Sequence, residues 1–477
     1  MPISDGRLAA LLFAAAFLAR LVACLGTAIF GTDGGHYLLM ADWMAAGRFH
    51  DALSIAYHPL YPLLIAVARP VAGGIEAAGS AVSVVLGAAA TVPLFLTVRA
   101  VFGRPAAFFV ALLYAFAPGL MEYQSEPMTE GAYMFFLFSS LWLTWRMLEA
   151  PSLERGVVLG AAAAATFLVR PEGMLAVALA LAWPLTRREG LGRRIGGVLL
   201  TLAVVLLLVA PYLLWVKAQR GHWGISVRPS AISAERAFAG EEGSQDSSAK
   251  SRLVGKYFNI MLQRTAYGAL IPFYLWGIAC LRGIRLRQGL FYFSFPLGLL
   301  AGPLFVLRTH DFMSERYLMA GMTLMNALAA LGLTAAIAWM ARRAPEARWR
   351  PAALGFILVV LVLPGAAALR LRRQELQSAR TAAAWIRAHG PAPRAMSGPL
   401  AQAAYLAGAR SVYSGITPET LREQIRAREV ELYAYTEKDV ERRPEYVALL
   451  RGCDLLEPPV EIQGPPGTLK VYLQRVR

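Results

Sequence analysis

Asp33 stands in the run GTDGGHY, directly after a long apolar stretch. The glycines around it let backbone or ligand approach closely, and His36 and Tyr37 add two more polar groups. The plain alternative is a local turn, since Asp-Gly is a turn pair. A second set lies in EYQSEPMTE, where Glu122, Glu126 and Glu130 put three acids into nine residues. Such a set could bind a metal or an acceptor, or cap the helix that follows. Glu126 precedes Pro127, and a residue in that position avoids helix, so it reads as displayed rather than packed. The run RTHDFMSERY supplies Arg308, His310 and Arg316 ahead of Tyr317. Guanidinium grips phosphate with two parallel bonds; the competing reading is cations snorkelling at a helix end. Arg170 and Glu172 flank a proline in RPEG, either as a structural ion pair or as part of a site lining. Arg20 falls in mid-stretch, about 20 Å below Asp33 by helical rise. It is expected to pair inside a helical bundle and to have no catalytic role.

The elements that position these residues are apolar. Of 477 residues, 57% are hydrophobic and 16% charged, where a soluble chain carries about a quarter as charges. The mean hydropathy is +0.48. Crossing a bilayer takes roughly 20 apolar residues. The stretches at 8–30, 81–98, 106–120, 132–145, 156–169, 174–185, 195–216, 266–281, 290–307, 317–340 and 352–369 reach or approach that length, giving about eleven predicted spans. Charge placement tests the count, because cytoplasmic loops collect Lys and Arg. With the N-terminus inside, the inner loops hold sixteen Arg and five acids; the short outer loops hold ten acids and five Arg. The expected topology is N-in, C-out. The net charge of +16 is then mostly a topology signal facing anionic lipid, and nucleic acid is excluded as a partner. The first span reads as an uncleaved anchor. Cys24, Cys280 and Cys453 suggest neither a disulfide framework nor a metal site.

The outer loops are expected at 31–80, 121–130, 217–264 and 308–316. Within the first, His36–Ala46 and Tyr57–Pro62 suit interfacial helices. In the third, Gly240–Arg252 reads as a mobile loop and Leu253–Tyr267 as an amphipathic helix. The spans would make one unit, residues 1–369. Residues 370–477 carry seventeen Lys/Arg and twelve acids without a long apolar block. Strand-like runs at Arg394–Ser397, Ser411–Tyr413, Glu429–Tyr435 and Leu469–Leu473 alternate with helical ones at Ala379–His389, Leu400–Gly408, Pro418–Arg428 and Lys438–Arg451. That predicts a small soluble α/β unit with a mixed sheet, outside the cell membrane. No P-loop, GxGxxG, Asp-x-Asp, HExxH or nucleophile-elbow motif is present.

A first span, an outer Asp-x-x-x-Tyr (Asp33, Tyr37), a small-residue helix ending at Gly47 and then HPLYP resemble the opening of the GT-C membrane glycosyltransferases. More narrowly, the chain resembles the dolichyl-phosphate-mannose protein mannosyltransferases and bacterial aminoarabinose transferases. The short acidic loop with Glu126, the RPEG hairpin, the late Arg316–Tyr317 and a C-terminal α/β unit are similar too. The resemblance implies a polyprenyl-phosphate-linked sugar donor, inverting transfer, and a lipid, polysaccharide or protein acceptor. It makes Asp33 the general base and Glu126 the second catalytic acid, as acceptor orienter or metal contact. The leaving lipid phosphate would be met by Arg308, His310, Arg316 and Tyr317, helped by His58 and Tyr61. His36, Tyr37, Arg170 and Glu172 would line the acceptor and sugar side. Many relatives keep an acid directly after the aspartate, where this chain has Gly34. Metal dependence is left open. The competing function is a transporter or flippase of lipid-linked sugars, which would require charges at the midplane and repeated halves.

Overall fold

A computed structural model describes residues 3–55, 57–225, 255, 270–309, 316–343, 346–356, 358–359, 363–366, 369, 372–390, 393–397, 400–412, 418–442 and 444–477. His310 and most of the third expected outer loop, with its mobile run and amphipathic helix, lie outside these residues.

Apolar composition and sparse charge make the first three-quarters of the chain helical. Helix α1 (Asp5–Leu25) is capped by Ser4, whose hydroxyl accepts from the Arg7 amide. Asp5 in its first turn complements the helix dipole. A short loop leads to α2 (Thr32–Ala45), α3 (Phe49–Ser54) and α4 (Leu60–Ala72), the last ending on left-handed Gly73. Then come α5 (Ile75–Ala89) and α6 (Thr91–Phe102), which run on from each other, and α7 (Arg104–Phe116). A one-turn helix, α8 (Pro118–Tyr123), precedes the irregular segment that brings the chain to α9 (Glu130–Glu149). After α10 (Leu153–Val169), α11 (Met174–Leu185) and α12 (Leu191–Arg220) come α13 (Ile271–Cys280), α14 (Leu286–Thr309) and α15 (Arg316–Arg343).

Among the described residues, four helical stretches are long and apolar enough to cross a membrane: Asp5–Leu25, Ile75–Phe102, Leu191–Arg220 and Arg316–Arg343. Of the other expected spans, 290–307 falls on the 24-residue α14 and 132–145 on the 20-residue α9, while the rest fall on shorter helices or lie partly outside the described residues. Leu206, Leu207 and Leu208 point outward from α12, as they would where the surrounding solvent is hydrocarbon. The expected interfacial piece at His36–Ala46 is more enclosed than an interface helix, with Tyr37 through Ala41 and Met44 all buried.

The C-terminal part forms a five-stranded mixed sheet in the order β2–β1–β3–β5–β4: β1 (Ala395–Ser397), β2 (Arg410–Val412), β3 (Leu432–Thr436), β4 (Val460–Ile462) and β5 (Val471–Arg475). β1 is parallel to β2 and β3, while β5 is antiparallel to β3 and β4. β3 is buried on both faces. Leu432 and Ala434 join the main apolar core, which continues into the helical bundle, whereas Tyr433 and Tyr435 join a second cluster on the far face. The helix expected over Lys438–Arg451 is split at Pro444 into Glu437–Arg442 and Pro444–Arg451. Strand β4 has no counterpart among the expected runs.

Candidate active site

The site is assembled from the N-terminus of α2, the segment after α8, the α10–α11 turn and the first residues of α15. Gly31 is the N-cap of α2, so Asp33 sits in the first helical turn and the helix dipole favours its charge. The Asp-Gly pair is thus part of a helix, not of a turn. Asp33 Oδ2 lies 2.5 Å from Arg316 Nη1, and Oδ1 accepts from the Tyr57 hydroxyl at 3.1 Å. Burial works against this carboxylate's charge. The Arg316 guanidinium and the two hydrogen bonds outweigh it, so the carboxyl titrates below the usual aspartate range.

Arg316 is held on its other side by Glu130. Its Nε stands 2.5 Å from Glu130 Oε1, and the same oxygen takes Arg170 Nη1 at 3.1 Å. Arg170 in turn bonds Glu172 through two nitrogens, at 3.1 and 3.4 Å. The result is a chain of alternating charges: Asp33, Arg316, Glu130, Arg170, Glu172. Aromatic faces back the cations, with Tyr123 against Arg316, and Tyr133 and Tyr317 against Arg170 at 5.3 and 5.5 Å. Arg170 and Glu172 therefore form an ion pair and also join the network around Asp33. Glu130 is 1% exposed. It can sink this deep because α9 begins against α5 at Gly131, where any Cβ would run into the Ser83 carbonyl 2.5 Å away.

Glu126 is placed differently from the expectation. The segment before Pro127 is non-helical, as its neighbour requires, but the side chain is packed, at 1% exposure. Proline fixes the backbone region and not the direction of the side chain. Both Glu126 oxygens are gripped by Arg373, and Oε2 also accepts the Gly31 amide at 2.8 Å. Arg20, as expected, is satisfied inside the bundle: it donates to Gln124, Ala16, Ala115 and Tyr114.

The aromatic residues after Asp33 form a cluster with Tyr57 and Tyr61. Tyr37 meets Tyr57 and Tyr61 edge-on, at 4.8 and 5.2 Å, and the His36 ring lies 5.7 Å from Tyr57. Tyr61 is fully buried with its hydroxyl on Ser83 and Gly79. His58 is buried against Phe167 and Tyr212. The structure thus brings Asp33, Arg316, Tyr317, Arg170 and Glu172 into one network and leaves His58 and Tyr61 in the core beside it. Arg308 lies near the end of α14. Gly34 packs where an added Cβ would stand 3.2 Å from both Phe30 Cβ and the Pro127 carbonyl, so any side chain there requires these neighbours to give way.

Sequence reasoning missed Tyr57 and placed Glu130 below Glu126. Two signals were available: Tyr57 directly precedes HPLYP, and Glu130 is the helix-starting acid of its loop. Among the described residues, no group of three or more His, Cys, Asp or Glu is placed to hold a metal ion.

Comparison with known proteins agrees with this architecture. Residues 57–215 match the family model of dolichyl-phosphate-mannose-protein mannosyltransferases. No curated protein matches the chain in sequence. Among solved structures, ArnT from Cupriavidus metallidurans bound to undecaprenyl phosphate is similar at 14% identity, with 97% of each chain covered and a TM-score of 0.61. The archaeal oligosaccharyltransferase AglB from Archaeoglobus fulgidus, in complex with an inhibitory peptide and a dolichol-phosphate, is similar at 12% identity and the same TM-score. There 97% of this chain and 74% of that chain are covered. The fold is the multi-helix membrane fold of the GT-C glycosyltransferases, carrying a small C-terminal sheet unit.

Proposed function

We propose that this chain is a membrane glycosyltransferase that moves a sugar from a polyprenyl-phosphate donor to a lipid, polysaccharide or protein acceptor. The site faces the outer side of the cell membrane, and transfer inverts the anomeric centre. One observation carries the reading: a half-buried carboxylate, Asp33, lies against Arg316, a cation able to grip phosphate. A base and an anion site are thereby adjacent, in a fold whose solved relatives hold polyprenyl phosphates.

In this reading the acceptor oxygen attacks the anomeric carbon while its proton passes to Asp33. The bond from that carbon to the phosphate oxygen breaks, and the negative charge left on the lipid phosphate is met by Arg316. Glu130 and Tyr123 hold Arg316 from behind, and Tyr57 aims the Asp33 carboxylate. Arg170, Glu172 and His36 line the remaining side, with Tyr317 at the mouth of the phosphate site. The Asp33–Arg316 pair carries a further consequence. A donor phosphate competes with Asp33 for Arg316, so donor binding loosens the contact that depresses the base and makes it more basic.

The test is transfer by the purified chain in vesicles, using radiolabelled undecaprenyl-phosphate-linked mannose and then glucose, with native membrane lipid as acceptor. The expected result is a labelled product of inverted configuration. Labelled donor that crosses the bilayer without being consumed would overturn the reading in favour of a transporter.

A further inference from the structure

The loop that aims Asp33 is built by a segment some 340 residues away in the chain. Between α1 and α2 the chain leaves regular helix, so most backbone groups from Gly26 to Gly31 need partners from elsewhere, and unpaired buried backbone is costly. The Gly26 and Thr27 amides bond back to Val22 and Cys24 of α1, and residues of the C-terminal unit and Glu126 satisfy several of the others. The Arg372 amide donates to the Gly26 carbonyl at 2.9 Å, and the Ala28 amide donates to the Arg372 carbonyl at 3.1 Å. Gln402 donates to the Phe30 carbonyl at 3.2 Å, and the Gly31 amide donates to Glu126. Arg372 also reaches Thr27, Ser125 and Ala23 with one nitrogen.

Arg373 closes this arrangement. Its guanidinium grips Glu126 with both terminal nitrogens, and its backbone is left-handed at φ 53°, a conformation non-glycine residues rarely hold. Something must offset that cost, and the two-pronged bond to a buried carboxylate is the available group. Glu126 thereby ties two things together: the C-terminal unit through Arg373, and the N-cap of α2, two residues before Asp33.

We propose that Arg373 and Glu126 are a positioning pair, which sets the aim of the Asp33 carboxylate by clamping the N-cap of α2 to the C-terminal unit. This rests on the glycosyl-transfer reading given above. It assigns Glu126 to the support of the base and not to contact with the acceptor or a metal. A pair acting as one unit loses its function when either member is removed, and removing both costs little more.

The experiment measures transfer from undecaprenyl-phosphate-linked mannose (glucose where mannose is not accepted) by the full chain in vesicles. The variants are Arg373→Ala, Arg373→Lys, Glu126→Ala and the double Arg373→Ala/Glu126→Ala, with Asp33→Asn alongside. A misaimed base lowers kcat by about tenfold or more, while donor KM stays within about threefold because the phosphate site is untouched. The double variant should match the worse single one, and Arg373→Lys should recover part of kcat. If Arg373→Ala does not accumulate, Arg373→Lys carries the test through the same split of kcat from KM. Normal kcat in both Arg373 variants, or losses at Arg373 and Glu126 that multiply in the double, overturns the positioning role while leaving Asp33→Asn inactive. If Asp33→Asn transfers normally, or the unaltered chain transfers nothing, the glycosyl-transfer reading falls and this pair's role with it.

Discussion

Arg20 and Arg316 are both largely enclosed guanidiniums, yet their surroundings differ in kind. Arg20, at 0% exposure, donates to the Gln124 side-chain oxygen at 2.7 Å and to three backbone carbonyls, with the Tyr114 ring 4.8 Å away. Every acceptor is neutral, and three of them are backbone carbonyls of α1 and α7. Arg316 lies between two carboxylates, Asp33 and Glu130, each at 2.5 Å. Backbone carbonyls cannot be exchanged for another ligand, so the Arg20 arrangement is a permanent brace for α1, α7 and the segment after α8. A carboxylate can give way to another anion. Burial of a charge is therefore weak evidence of function, and the exchangeability of its partners is stronger evidence.

Three substitutions would break or sharpen that contrast. The largest effect belongs to Arg316→Met. Losing the cation that meets the leaving phosphate should cost about 3–4 kcal/mol of transition-state stabilisation, a drop of several hundredfold in transfer, measured as kcat/KM with a labelled polyprenyl donor. Arg20→Met should do the reverse. It leaves buried carbonyls unpaired at about 1–3 kcal/mol, read as a lower thermal midpoint in detergent, while kcat of the surviving protein stays near normal. Tyr57→Phe is the smallest, removing one hydrogen bond worth about 1 kcal/mol. That bond helps hold the Asp33 carboxyl low, so the acid limb of the activity profile should move to higher pH.

The sign of the pH dependence follows from the same pair. Asp33 titrates lower in the folded chain than its ordinary value of about 4. The stability it contributes is present above that value and is lost as pH falls through the folded-state one. In kinetics, kcat/KM reports the free enzyme and kcat the loaded one. If donor phosphate takes Arg316 away from Asp33, the acid limb of kcat lies at higher pH than that of kcat/KM. Coincident limbs would show that the pair persists in the complex.

Much of this was legible in the sequence because local rules decide it. Long apolar stretches mark the helices, and Asp33 is found by its place after the first of them. Four of the five C-terminal strands lie within a few residues of their expected runs. β4 escaped because it is a three-residue edge with Val460 and Glu461 exposed, which leaves no alternation to read. The choice between Glu126 and Glu130 was beyond local rules. Both lie on one short segment, and their direction is set by cations far along the chain, Arg373 for one and Arg170 with Arg316 for the other. Residues 372 and 373 looked like ordinary charges at the edge of a polar region; only the folded chain brings them to the loop before Asp33.

The central claim is that Asp33 removes a proton beside an anion-binding arginine. The most direct measurement compares Asp33→Asn and Asp33→Glu with the unaltered chain, in vesicles supplied with labelled polyprenyl-phosphate sugar. The asparagine keeps the size of the side chain and one acceptor oxygen, without its charge or basicity. The account predicts that it accumulates and binds undecaprenyl phosphate at least as well as the parent, with Arg316 freed of its competitor, yet transfers at least about a hundredfold more slowly. Asp33→Glu should retain measurable transfer. An asparagine variant with parental kcat would contradict the account.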